Sequence, residues 1–224
     1  MENYVIRTYG RTRSHSLSQA QSDNLQNLYP IYGITLPEEK VDPRKFFSQH
    51  FDMISFEIGF GNGEHLIEMA KRNPNIGFIG CEPFENGVVT ALSGIKNNQL
   101  KNVRIYKGDA RELLNMLEDN SLNRMYILFP DPWRKKRHYK RRLISVDFLK
   151  IARKKIKPCS CVMIATDHED YREDILNHLH EINAIFKEDK IFERPACFVG
   201  TKYERKALAR DAKCAYMRVV LPYA

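Results

Sequence analysis

The chain has 224 residues, with 36 Lys and Arg against 28 Asp and Glu and a formal net charge of +8. That length fits one large domain or two small ones, and a hydrophobic fraction of 43% excludes global disorder. The basic balance suits nucleic acid, acidic lipid or plain solubility and ranks none of them by itself. The five cysteines have irregular spacing, which excludes a disulfide framework. Cys159-Ser160-Cys161 lacks a partner pair at zinc spacing, so reduced, partly buried thiols and no metal site are expected. The start Met1-Glu2-Asn3-Tyr4 carries no apolar signal region, and no apolar run is long enough to cross a membrane. A cytoplasmic protein without a membrane partner is the expectation.

Residues 1–43 are polar and basic, with Arg7, Arg11 and Arg13 among Ser, Thr and Gln, and read as a mobile N-terminal arm suited to RNA contact. Residues 44–224 read as the folded domain. A first strand is expected at Met53–Ile58, followed by Gly59-Phe60-Gly61-Asn62-Gly63. Leu66, Ile67, Met69 and Ala70 then recur at helical spacing until Asn73-Pro74. Gly77–Cys81 makes a second strand ending at Glu82, and a helix follows from Gly87 to Lys96. A third strand, Val103–Tyr106, ends near Gly108-Asp109-Ala110, and Leu113, Leu114 and Leu117 mark the next helix. A fourth strand, Arg124–Phe129, leads into Pro130-Asp131-Pro132-Trp133. A helix over Ser145–Lys155, a fifth strand Cys161–Ala165 ending at Thr166-Asp167, a helix over Tyr171–Ile185 and a last strand Tyr216–Val220 complete the series. Strands alternating with helices imply an α/β fold, a mainly parallel sheet with helices on both faces.

In such sheets ligands bind beyond the carboxyl ends of the strands. The singular residues fall there: the Gly-rich loop after strand one, Glu82 after strand two, Asp109 after strand three, Asp131 after strand four and Asp167 after strand five. Glycines at Gly59, Gly61 and Gly63 would let a cofactor approach the backbone closely. An acid about twenty residues further on can accept hydrogen bonds from ribose hydroxyls, which suits Glu82. Dinucleotides favour Gly-x-Gly-x-x-Gly, whereas this chain has Gly-x-Gly-x-Gly, and Glu57 just before it would repel a diphosphate. S-adenosylmethionine carries no phosphate and has a cationic amine and sulfonium. An acidic rim of Glu57, Glu82, Asp109 and Asp131 fits it better. Asp109-Ala110 could serve the adenine amino group or cap the following helix.

The stretch Phe129-Pro130-Asp131-Pro132-Trp133-Arg134-Lys135-Lys136-Arg137-His138-Tyr139-Lys140-Arg141-Arg142 carries the most information. Proline fixes φ and lacks an N–H, so a rigid loop holds one carboxylate beside the sole Trp. Lys135, Lys136, Arg137, Lys140, Arg141 and Arg142 could neutralise phosphates or form a solvated helix start. Trp133 could stack on a base or buttress the loop. His138 reads as structural or as a phosphate contact. His178 and His180 point to different faces of a helix and do not form a metal pair. Arg153-Lys154-Lys155 and Lys157 read as a solvated surface.

Together with the Gly-rich loop, Glu82, Thr166-Asp167 with Tyr171, and Thr201-Lys202-Tyr203-Glu204, this stretch resembles the bacterial tRNA (guanine-N7-)-methyltransferases. The resemblance spans about Glu57 to Glu204, with a looser match in the basic arm. It implies a Rossmann-like class I S-adenosylmethionine-dependent methyltransferase acting on N7 of a variable-loop guanine in tRNA. It further implies that Glu57, Glu82, Asp109 and Asp131 contact the cofactor, that Asp131 is the catalytic acid, and that Lys135, Asp167 and Thr201 to Glu204 bind substrate. Two departures concern the substrate loops: Tyr139 stands where Asn is frequent, and Val199-Gly200 where Arg-Pro is common. A methyltransferase for another RNA base and a non-catalytic RNA-binding protein are the alternatives. Guanine N7 has a free lone pair and no proton, so the expected task of Asp131 is charge stabilisation and positioning. Asp131, Asp167 or Glu204 could accept from the guanine N1–H and N2–H₂ pair.

Overall fold

The computed structural model describes residues 16–187, 191–195 and 198–222. Its strands are β1 (Met53–Ile58), β2 (Ile76–Cys81), β3 (Val103–Tyr106), β4 (Leu122–Leu128), β5 (Ile156–Thr166), β6 (Ile185–Phe186) and β7 (Ala215–Val220). Its helices are α1 (Gln19–Tyr32), α2 (Glu64–Arg72), α3 (Glu85–Asn97), α4 (Ala110–Met116), α5 (Val146–Lys155), α6 (Glu169–Glu181) and α7 (Lys202–Leu208). Among the described residues one seven-stranded sheet has the order β3-β2-β1-β4-β5-β7-β6. β1 to β5 are parallel, and β7 pairs antiparallel with both β5 and β6. The order reverses between β1 and β4, so the carboxyl ends of these two strands diverge into a crevice.

The sheet is buried on both faces, which is why its inner strands read as nearly continuous apolar runs. Side chains alternate across the pleat. Phe56 and Ile58 of β1, with Met125 and Ile127 of β4, pack on α4, α5 and α6 through Leu113, Leu117, Leu149, Tyr171 and Ile175. Tyr126 and Leu128 of β4, with Phe78 of β2, pack with Leu66, Val88, Leu92 and Ile95 of α2 and α3. Ala207 of α7 and Leu28 of α1 join that second layer.

Four local features depart from the sequence expectation. Residues 16–43, expected within the mobile arm, are folded onto the domain. Ser18 and Gln21 form a capping box at the start of α1. Leu25, Leu28, Tyr29 and Tyr32 pack on the second layer, and Asn24 Nδ2 donates to Ser93 Oγ of α3 at 3.2 Å. Beyond the helix, the Ile34 amide donates to Ile105 O at 2.7 Å, adding a bridge to the β3 edge. Arg7, Arg11 and Arg13 lie outside the described residues. β5 begins five residues earlier than expected, and its pairing with β4 shifts register between Leu122 and Arg124, with Cys159 at φ 62°. α6 stops at Glu181 and Ile185 joins β6. Lys155, expected on a solvated surface, is buried: its Nζ donates to Leu117 O at 2.7 Å and to Asp119 Oδ1 at 2.6 Å. A buried ammonium needs such acceptors, and Asp119 supplies the opposite charge.

Candidate active site

The carboxyl ends of β1 to β4 open into a cleft of about 370 Å³. Gly59, Gly61, Glu82, Asp109, Ala110 and Asp131 all line it, together with Cys81, Phe84, Phe129, Trp133, Arg141, Leu143 and Tyr203. A small side pocket adjoins it, bordered by Glu57, Gly59, His65, Thr201, Lys202, Tyr203 and Lys206. A shallower outer cleft is bordered by Asp131, Arg134, Asp167, Tyr203, Lys206 and Arg210. Asp131 therefore borders the main and outer clefts, and Tyr203 borders all three spaces.

The glycine loop is left-handed at each glycine, with φ of 72° at Gly59, 58° at Gly61 and 83° at Gly63. Only glycine takes such angles without strain. A Cβ on Gly59 would meet nothing within 4 Å, so that backbone is open to a ligand, whereas a Cβ on Gly61 would sit 3.2 Å from the Tyr203 hydroxyl. Gly63 borders none of the three spaces. A Cβ there would lie 2.7 Å from Ala91 Cβ, so Gly63 lets α2 approach α3.

Glu82 ties this loop to β2. The Gly61 amide donates to Oε2 at 2.7 Å and the Phe84 amide to Oε1 at 2.9 Å. Each oxygen keeps a second lone pair for a ligand. Burial pushes the Glu82 pKa up to about 7; the two amides oppose the shift, and the charges of Asp131 and Glu57 add to it. Glu57 is buried, with Oε2 2.8 Å from His65 Nδ1. His65 packs edge-on against Tyr126, and its Nε2 has no partner among the described residues.

Asp109 caps α4 by accepting from the Arg111 amide at 3.0 Å, and the Arg111 side chain adds a two-pronged pair at 2.9 and 2.7 Å. The reading of this acid as a helix cap is what the structure shows, and the same side chain lines the main cleft.

After β4 the chain turns sharply. The Phe129 amide donates to Ala165 O at 2.7 Å, then Pro130-Asp131-Pro132 projects between two left-handed aromatic residues, Phe129 at φ 53° and Trp133 at φ 45°. Such conformations cost on the order of 1–3 kcal/mol each and persist only where neighbours enforce them. Asp131 is exposed at the apex. Trp133 is buttressed by the loop's own residues, with Arg141 5.0 Å over its ring and His138 edge-on at 5.9 Å. The basic run then forms a 3-10 turn over Lys136–Arg141. Lys135, Lys136, Arg137 and Lys140 are exposed, and Lys135 lies outside the three clefts. Arg142, expected as a phosphate contact, is instead buried at 6% exposure.

Asp167 accepts from Arg210 Nη2 at 3.0 Å at the rim of the outer cleft. Thr201 caps α7 by accepting from the Glu204 amide at 3.0 Å. Glu204, 2% exposed, faces away from the clefts: its carboxylate accepts from the Tyr216 hydroxyl and lies 3.3 Å from Arg194 Nη1. With both oxygens engaged and buried, Glu204 is not placed to meet a guanine edge. Leu143, Lys206 and Arg210 border the clefts without having been foreseen, and Arg141, read as a phosphate contact or part of a solvated helix start, lines the main cleft. They come from turns and from α7, whose short length left no periodic signal. Among the described residues no cluster of His, Cys, Asp and Glu could hold a metal ion, and no helix is long and apolar enough to cross a membrane.

Residues 52–217 match the family model described as "Putative methyltransferase". A tRNA (guanine-N(7)-)-methyltransferase of Zymomonas mobilis is 38% identical over 218 residues, covering 96% of this chain and 94% of that protein. One of Wolbachia pipientis is 43% identical over 164 residues, covering 73% of this chain and 72% of that protein. Among solved structures, the 16S rRNA methyltransferase KamB superposes with a TM-score of 0.55 at 12% identity, over 93% of this chain and 96% of its own. That likeness concerns the fold, which is the Rossmann-like class I methyltransferase fold expected from the order of strands and helices. By its match to the family model and its identity to these relatives over most of its length, the chain belongs to the tRNA (guanine-N(7)-)-methyltransferase family.

Proposed function

We propose that this chain transfers a methyl group from S-adenosylmethionine to N7 of a guanine in the variable loop of tRNA. The observation that carries the reading is the position of Asp131, on a rigid loop where the main cleft meets the outer cleft. A cofactor in the first and a base in the second would meet at this carboxylate.

The main cleft suits S-adenosylmethionine. The bare backbone at Gly59 leaves room for close approach, and the free lone pairs of Glu82 suit ribose hydroxyls. Asp109 and Ala110 are assigned to the adenine end, and Gly59, Gly61 and Glu57 to the amino-acid end, with Gly63 holding the loop from behind. The acids around the cleft favour a cation and disfavour a phosphate-bearing cofactor. When bound, S-adenosylmethionine supplies an electrophilic methyl group on a sulfonium.

The protein has little proton chemistry to do. Guanine N7 offers its lone pair without deprotonation, so no general base is required. Positive charge grows on the guanine imidazole ring as the new bond forms. The Asp131 carboxylate, held by Pro130 and Pro132, stabilises that charge and orients the ring without a reorganisation cost. We assign the N1–H and N2–H₂ edge of the base to Asp167, since it borders the outer cleft while Glu204 does not. Tyr203 and Lys202, on the α7 turn capped by Thr201, close the space above the Gly-rich loop, and Glu204 anchors that turn to β7. Lys135 with its exposed neighbours, and the basic N-terminal segment that carries Arg7, Arg11 and Arg13, supply the tRNA backbone contacts. Incubation with unmodified tRNA and methyl-labelled S-adenosylmethionine, followed by nucleoside analysis, tests this function. Label in 7-methylguanosine is expected; label in another nucleoside or none overturns it.

A further inference from the structure

Arg142 is the last residue of the basic run, and it is the one that is withdrawn from solvent. Its Nε donates to the carbonyl of Pro132, next to Asp131, at 2.8 Å. Its Nη1 pairs with Asp174 of α6 and reaches Asp170 O at 3.5 Å. The guanidinium lies 3.5 Å over the Tyr139 ring and 4.8 Å from the Tyr171 ring. Both rings are fixed in turn: the Tyr171 hydroxyl accepts from the Ile144 amide at 3.0 Å, and the Tyr139 hydroxyl donates to Asp170 Oδ2 at 3.1 Å. One planar cation therefore joins the loop after β4 to α6. The loop needs such a tie. Phe129 and Trp133 hold unfavourable left-handed angles, and Pro130 and Pro132 contribute no backbone donor.

We propose that Arg142 is a positioning residue for methyl transfer. It clamps the Pro132 carbonyl to α6, keeps Asp131 at the junction of the two clefts, and makes no phosphate contact. This rests on the proposed function for its effect on turnover, but the clamp itself concerns the free protein. A lysine cannot replace the clamp, because an ammonium lacks the planar fork and the stacking face that link two directions at once.

The test uses Arg142→Lys and Asp174→Asn. Asp174→Asn breaks the same tie from α6 and leaves the basic run intact. Trp133, the sole tryptophan, lies on the clamped loop, so its fluorescence and its quenching by acrylamide report on the loop without any substrate. Both variants are expected to raise Trp133 quenching and to lower kcat about ten- to a hundredfold, the scale of a misplaced catalytic group. Affinity for tRNA is expected to stay within about threefold, with an unchanged slope of log affinity on log salt. A phosphate contact would instead show in a third variant, Arg142→Gln, as a slope lowered by about one with Trp133 quenching unaltered, since Arg142→Lys keeps the charge and with it the slope. That result, or wild-type quenching and kcat in both variants, overturns the proposal. If Arg142→Lys does not fold, Asp174→Asn decides alone by the same readings. If wild-type protein yields no 7-methylguanosine, the function reading fails, while the quenching data still decide the clamp.

Discussion

Asp131 owes its place to its neighbours. Two prolines restrict the backbone, and the tie through Arg142 holds the loop to α6. Because Asp131 is exposed, Asp131→Asn should leave the thermal unfolding midpoint nearly unchanged while lowering kcat about a hundredfold, the scale of losing one preorganised electrostatic contact. Steady-state kinetics with melting curves check this; full turnover with unaltered tRNA affinity would refute the electrostatic role. Glu82 carries a second prediction. Its pKa is raised to about 7 in the folded protein by burial. The stability linked to this group is therefore fully present below the ordinary carboxylate range and is lost as pH rises through about 7. Ribose hydroxyls would favour the ionised form, so cofactor binding near pH 7 should release a proton and tighten as pH rises through 7. Calorimetry in two buffers of different ionisation enthalpy measures that release, and Glu82→Gln should abolish it. At this scale the carboxylates at the strand ends were legible, because their spacing follows the strands. The burial of Arg142, Lys155 and Glu204 was not, because charged residue types point to the surface and only their tertiary partners reverse that tendency.

The elements that position the site were legible where they were long and periodic. β1 to β4 and the helices between them follow the apolar spacing closely. α1 did carry a signal, the stripe Leu25, Leu28, Tyr29 and Tyr32, but surrounding polar residues and Pro30 within the helix diluted it. α7 has seven residues, too few for a period to declare itself, and its buried face rests on Ala207 and Glu204. The Gly-rich loop also divides at this scale. Gly61 and Gly59 face the cleft, whereas Gly63 serves the contact between α2 and α3. Gly63→Ala combines a left-handed φ with a 2.7 Å approach to Ala91, and it should cost about 1–3 kcal/mol. Urea unfolding should show a lower midpoint at an unchanged slope. An unchanged midpoint would mean that α2 moves away from α3 at no cost.

For the whole molecule, the excess of basic residues has a direction. The acids gather around the main cleft, and exposed Lys135, Lys136, Arg137 and Lys140 stand on the loop beyond it. Binding of tRNA should therefore weaken steeply with salt, and replacing Lys135, Lys136 or Arg137 by Ala should each reduce the slope of log affinity on log salt by about 0.7–0.9. Filter binding across a salt series measures it; slopes equal to the wild type would place the tRNA elsewhere. The sequence by itself determined the alternation of strands and helices, the acids at the strand ends and the Pro-Asp-Pro-Trp loop, because these depend on local spacing and backbone chemistry. Only the tertiary structure decided that Asp131 and Tyr203 border more than one cleft, that Glu204 turns inward to Tyr216, and that the final arginine of a basic run braces a loop. Those outcomes depend on which side chains from distant segments meet, and residue types along one segment do not carry that information.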